Sequence, residues 1–396
     1  MSRARRTDAA LWAHHHTEFR DPMQVVAQWQ PASVLDHRLL EHRVRGRFWE
    51  ALEQGGSTLV VTREYEHLVV ALAVVSGRPR LSYLRLPHPS GLAVDTAHGV
   101  LHVASTRNPN VVFDFAPATA ALTRNGEAAP KGPPAPLVPA GARYLPGCLY
   151  LHDLAMVGSR LLANAVALNA VVELPPRGGF RPVWWPRSID APGGPRTERN
   201  YLQLNSIASG GSLRRSFFSA SAAAPSARRP GQLHFPVDKR GVIFSGRTRD
   251  VVATGLTRPH SARLFDGELW VDNSGYGEVG RIVAGRFEPV LRLPGWTRGL
   301  ASAGGIAFVG TSRVIPRFRH YAPGLDAERS ETAVHAVDLA HGRVLGSLTW
   351  ARGNQIFAIE PLGGLSSCGF PYAPGERLER WRHHVYFAGS PASQPR

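Results

Sequence analysis

PHSARLFDGELWVDNS, residues 259–274, consists of two short apolar runs joined at Asp266–Gly267. Alternation, a β-branched and aromatic second run and an Asp-Gly joint mark a β-hairpin. The pattern recurs. PSGLAV (89–94), LHDLAM (151–156), LNSIAS (204–209), TRGLAS (297–302) and NQIFAI (354–359) each set a small or polar residue before an apolar run, as PHSARL (259–264) does. Second strands follow the first five segments: VLHVAST, RLLANAV, SFFSAS, ELWVDNS and IAFVGTS. Aligned, Ser90, His152, Asn205, His260, Arg298 and Gln355 share one position, at spacings of 62, 53, 55, 38 and 57 residues. Each spacing accommodates a four-stranded unit, the larger ones with insertions. The sixth segment has no second strand after it, and the N-terminal runs TLVVTREY and HLVVALAV supply one. An all-β, six-bladed β-propeller over 57–365 is predicted, with blade six closed by both chain ends.

The flanks are accessory. Residues 1–56 are read as an N-terminal helical arm. Its amphipathic helix spans 34–53 (VLDHRLLEHRVRGRFWEALE), with Leu35, Leu39, Leu40, Phe48 and Leu52 near i, i+4 spacing and Gly55–Gly56 ending it. Residues 366–396 form a C-terminal extension, disordered from about 388. The stretch 116–147, rich in Pro and Ala, is a long loop. The insertion 175–200 carries Trp184 and Trp185, either an aromatic lid over the channel mouth or a cover for a blade edge.

Composition narrows the function classes. At 43% hydrophobic and 19% charged residues the chain is globular, and no run approaches eighteen apolar residues, which excludes a spanning helix. The start, MSRARRTDAALWAHHHTEFR, is basic but has no apolar stretch or cleavage site, so a cytoplasmic location is expected. The net charge of +16 invites a nucleic-acid partner. Lys131 and Lys239 are the only lysines, however, and the arginines are scattered rather than clustered, so nucleic acid is not the expected partner. Cys148 and Cys368 have no metal-binding spacing and are read as free thiols.

In a propeller the first strand of each blade lines the central channel, so the aligned position converges on one axis. Packing between blades explains the "LA" but not His, Asn, His, Arg and Gln ahead of it. Such groups need solvent or partners, because an unsatisfied buried polar group costs about 1–3 kcal/mol. His152 and His260 are therefore candidate proton-transfer residues on a small-molecule substrate. Arg298 suits a carboxylate or phosphate through its two-pronged fork. Asn205 and Gln355 would orient the substrate, with Ser90 completing the ring. Loops after second strands add Tyr65, Asn164, Asn273 and Ser312 as an outer polar ring, with Thr62, Arg107 and Arg313 beside them. No cofactor is favoured. The alternative is a divalent metal on His152, Asn205 and His260, against which Arg298 stands as a repelling charge. GYGEVG (275–280) matches GxGxxG, but it joins two strands and opens no helix, so it is read as a turn. The triplet His14–His16 and the pair His383–His384 lack partners in sequence.

The segment LTRPHSARLFDGELWVDNSGYGEVGRI, with LPGWTRGLA and AFVGTSR after it, resembles a family of uncharacterised bacterial proteins with the pattern PHSPRWHDGxLWxxDSGxGELG. HDLA (152–155), VWWPRSI and LNSIA (204–208) resemble that family's HDIA, WRPPFI and HLNGLA. The resemblance covers roughly 35–365 and implies a propeller architecturally similar to the gluconolactonase and strictosidine-synthase-like group. It implies no settled activity. The chain departs from the pattern at TREYEHLV (62–69) and QLNS (203–206). In related lactonases a divalent metal is held by carboxylates and asparagines, and no acid occupies the aligned ring here. The expected function is an enzyme of acid–base type (lyase, isomerase, cyclase or hydrolase) on a small polar or anionic metabolite, in specialised metabolism. The alternative is a non-catalytic propeller that binds a protein partner or ligand through its top face.

Overall fold

The structure is a computed structural model that describes Ala32, residues 35–107, 110–118 and 135–374, and the backbone of 120–122 and 386–388. The histidine triplet, the histidine pair, most of the N-terminal arm and the last residues lie outside the described residues. Six antiparallel sheets form six blades. The innermost strands are Pro89–Asp95, Leu151–Val157, Leu204–Ala208, Pro259–Phe265, Trp296–Ala303 and Ala358–Pro361, taken as blades one to six. Each touches the next, and the last touches the first, so the ring is closed. In blade six Ala358–Pro361 pairs antiparallel with Leu59–Arg63, which leads into Leu68–Val75 and Arg78–Arg85.

The core lies between blades. Ala93, Ala104 and Val112 of blade one meet Leu151, Leu154 and Leu161 of blade two. Leu162, Val171 and Trp184 of blade two meet Leu204, Phe218 and Phe244 of blade three. Alternation produces this, since successive side chains face opposite neighbours and both faces of every sheet are covered. Trp184 stacks on Phe218 with centroids 4.0 Å apart, so it packs between blades and is not a lid. Trp185 donates from Nε1 to Asp190 Oδ1 at 2.7 Å, on the same outer flank.

The expected helix at 34–53 is corrected. His42–Gly46 is instead a fifth strand on the outer edge of blade five, paired with Gly346–Trp350. Among the described residues of that stretch only Phe48–Gly55 is α-helical. Gly46 explains the break. It sits at φ +65°, and a Cβ there would meet the Leu345 carbonyl oxygen at 2.6 Å. Pairing with an open sheet edge thus overrides a weak helical period. The short helix still buries Phe48, Ala51 and Leu52 between blades five and six and ends at Gly56.

Two repeated irregularities shape the axis. His88, Tyr150, Gln203 and Arg258, each directly before an inner strand, adopt φ between 44° and 53°. Each inner strand of blades one to five then bulges against its neighbour. The residue after the aligned position turns into that bulge and ties one blade to the next. Asp153 Oδ2 accepts from Ile207 N at 2.9 Å, Ser206 Oγ from Ala262 N at 2.8 Å, and Ser261 Oγ from Gly299 N at 2.8 Å.

Candidate functional site

A cavity of about 520 Å³ opens at one end of the axis. His152, His260, Arg298 and Gln355 line it, as do Tyr65 and Arg313 from loops and Ser312 from the end of the strand Ile306–Ser312. The left-handed residues deliver a second set. Tyr150, Gln203 and Arg258 stand two positions before the aligned ring, and they line the cavity with Trp296, which holds the same place in blade five.

The hydrogen bonds assign both histidine tautomers. Arg298 Nη2 donates to His152 Nε2 at 2.8 Å, so that nitrogen carries no proton. Nδ1–H then donates to the Asn205 carbonyl at 2.9 Å. Burial, reinforced by Arg298, holds His152 well below the ordinary histidine range. At His260 the Ser274 hydroxyl donates to the Thr297 carbonyl at 2.6 Å. His260 Nδ1–H must therefore be the donor, to the Arg258 carbonyl at 2.8 Å and Ser274 Oγ at 3.0 Å. Its Nε2 keeps a lone pair with no hydrogen-bond partner among the described residues. Burial, then Arg298, also lowers His260 well below its usual value. The two rings lie 5.5 Å apart at 30°.

The arginines are held by neutral groups. Arg258 donates from Nη1 to Gln203 Oε1 at 2.7 Å and rests 4.1 Å above the Tyr321 ring. Arg298 lies 3.3 Å from the Phe357 centroid. Gln355, turned so that its oxygen faces the guanidinium, accepts from Arg298 Nη1 at 3.0 Å and donates to Glu64 Oε2 at 3.0 Å. Glu64 in turn accepts from Thr106 Oγ1. Arg258 and Arg298 are 5% and 8% exposed, and no carboxylate is within ion-pair distance of either among the described residues. Burial pulls both down, Arg298 to about 10. Five arginines and two glutamates line the cavity, so its potential is positive.

Below this level Arg263 of blade four grips Asp153 of blade two across the axis, Nη1 to Oδ2 at 2.9 Å and Nη2 to Oδ1 at 3.2 Å. Beneath the pair is a smaller cavity of about 250 Å³ with Arg263 and Glu360 in its wall.

Four expected substrate contacts lie elsewhere. Ser90 donates to the Leu151 carbonyl at 3.0 Å, linking blades one and two. Asn205 donates from Nδ2 to the Pro259 carbonyl at 2.8 Å. Asn273 bridges Thr257 N at 2.7 Å and Glu278 Oε2 at 2.8 Å. Asn164 is fully buried opposite the blade-two bulge. Each of the first three is drawn to a backbone or side-chain partner within its own or the neighbouring blade. The metal alternative does not fit either. Both His152 nitrogens are engaged, one by a guanidinium, and the Asn205 side chain faces blade four.

Residues 46–369 match the family described as Domain of unknown function (DUF4915). The chain belongs to that family. No curated protein matches it in sequence. Among solved structures it is similar to a nidogen/laminin complex at 11% identity and TM-score 0.52, over 79% of this chain and 100% of that one. That likeness is one of fold. It also matches a putative gluconolactonase at 14% identity and TM-score 0.42, over 68% of this chain and 80% of that one. XC5397 from Xanthomonas campestris, described as a gluconolactonase, matches at 13% and 0.42, over 75% of this chain and 86% of that one.

Proposed function

We propose that the chain is an enzyme that binds a small anionic metabolite in the upper cavity and transfers a proton at His260. One observation carries this reading. Among the described residues, two buried guanidiniums with no carboxylate in direct ion-pair contact share a cavity with an imidazole nitrogen that has no hydrogen-bond partner. Burying an uncompensated charge costs several kcal/mol, and a bound anion offsets that cost. His260 is neutral at physiological pH, the form a base requires, and an anion beside it raises its basicity. The proton moves from substrate to Nε2 while Nδ1–H stays on the Arg258 carbonyl, and it returns to the product from Nε2. His152 serves as a positioning residue, since its lone pair is spent on Arg298. The chemistry fits a lyase, isomerase, cyclase or hydrolase.

Incubation with pooled carboxylate and phosphate metabolites in D₂O, read by mass spectrometry, tests this. The wild type should convert or deuterate one component, and His260→Gln should slow it roughly 10²–10⁴-fold with an unchanged unfolding midpoint. Equal rates in both proteins, or no bound anion, would end the reading. A bound anion without chemistry would leave a ligand-binding propeller.

A further inference from the structure

The upper cavity, at about 520 Å³, is sized for a ligand much larger than a lone phosphate or acetate. Arg258, Arg298 and three mutually packed rings share its wall. Trp296 lies 6.0 Å from Tyr321 and 5.8 Å from Phe318, and those two are 5.7 Å apart. The Trp296 ring is also 5.9 Å from His260, so a body resting on the indole lies against the base. Cationic and aromatic surfaces meet here, because Arg258 already rests on Tyr321. The fold builds a ring–guanidinium–ring sandwich beside them, with Arg317 4.8 Å from the Tyr65 centroid and 4.7 Å from that of Phe318.

We propose that the anion is a planar aromatic or conjugated carboxylate, its carboxylate toward Arg258 and Arg298 and its flat body against Trp296, Phe318 and Tyr321. This rests on the anionic-substrate reading above and narrows it to one chemical class. Flat π-systems stack on such rings at offset or edge geometry, while a guanidinium fork takes the carboxylate.

Calorimetric titration of the full chain with 2-naphthoate, decahydro-2-naphthoate, 2-naphthalenemethanol and gluconate tests it. We expect 2-naphthoate to bind roughly three- to tenfold tighter than its saturated counterpart, and at least about tenfold tighter than the uncharged alcohol. Trp296→Leu should bring the two naphthoates to equal affinity, and Phe318→Leu should narrow the gap if the first variant misfolds. Equal affinities in the wild type would overturn the aromatic inference and leave the anion reading standing. Gluconate binding tighter than 2-naphthoate would do the same. The alcohol binding as tightly as 2-naphthoate, or no acid binding at all, would overturn both.

Discussion

Arg263 and Arg298 stand on the inner strands of adjacent blades, the first in the floor of the channel and the second in the upper cavity. Arg263 lies in the fork of Asp153. Burial draws its proton affinity down, but the carboxylate outweighs that and the net shift is upward. Among the described residues Arg298 is held by His152, Gln355 and the Phe357 ring, and burial, only partly offset by Glu64 beyond Gln355, pulls it down to about 10. Where a buried cation is part of the framework, this fold supplies an acid. Where the acid stands off behind Gln355, as Glu64 does, the neighbours are a cavity and an imidazole, and the weaker compensation supports the reading of a ligand from outside.

The largest expected effect separates the two regions by pH. The upper wall holds His152 and His260 and, behind Glu64, His67 and His88. Burial, then Arg107, brings His67 to about 4 and His88 to about 2. These rings stay neutral when folded and gain protons when unfolded, so stability is full above about pH 6.5 and falls below it. At about 1.4 kcal/mol per group per pH unit, the four remove up to about 5 kcal/mol per unit. Urea unfolding at pH 7.5, 6 and 5 should show that loss, and a flat profile would contradict the neutral upper wall.

Next in size, Asp153→Asn should cost about 3–5 kcal/mol by stranding Arg263 in the floor, read from the same urea curves at pH 7.5. The floor should also respond to pH in the opposite direction. Burial raises Glu360 to about 7 despite Arg263, so its contribution is present below the unfolded carboxylate value and lost as pH rises through 7. Glu360→Gln should then stabilise by about 1–2 kcal/mol at pH 8 and by almost nothing at pH 4.5. The smallest effect falls on the upper cavity. Arg298→Met should leave stability within about 1 kcal/mol of wild type, since two hydrogen bonds and one uncompensated charge leave together. It should abolish anion binding in titration. Equal losses in Asp153→Asn and Arg298→Met would erase the distinction between floor and cavity.

The blades were legible because each inner strand repeats the same polar head and apolar run, a periodicity that survives insertions. His152, His260, Arg298 and Gln355 could be picked out by that alignment and do line the cavity. Asn205 and Ser90 share the position and the bulge with His152, His260 and Arg298, but these shorter side chains bond to a carbonyl of the next blade, Asn205 to Pro259 and Ser90 to Leu151, and the repeat alone does not announce that. Arg258, Gln203 and Tyr150 were missed for a related reason. They reach the cavity through left-handed backbone at a non-glycine residue, which no propensity scale anticipates. A second column two residues ahead of the first would have found them. Glu64, in TREYEHLV, reaches Arg298 through Gln355, which lies 291 residues further along the chain. The strand at His42–Gly46 was hidden because its partner edge exists only once blade five has folded.

The closing contact has a consequence for synthesis. Ala358 N donates to Thr62 Oγ1 at 3.0 Å across 296 residues. During translation the hairpin that begins at Leu59 emerges early and waits for its inner neighbour. At ~5–20 residues per second that wait is roughly 15–60 s. Throughout it, the edge bearing Leu59, Val60 and Val61, fully buried in the finished ring, stays uncovered. Open apolar strand edges recruit other strands. The ribosome-bound chain is therefore prone to aggregate until the last strand is made, and a stall anywhere between residues 89 and 358 lengthens that exposure.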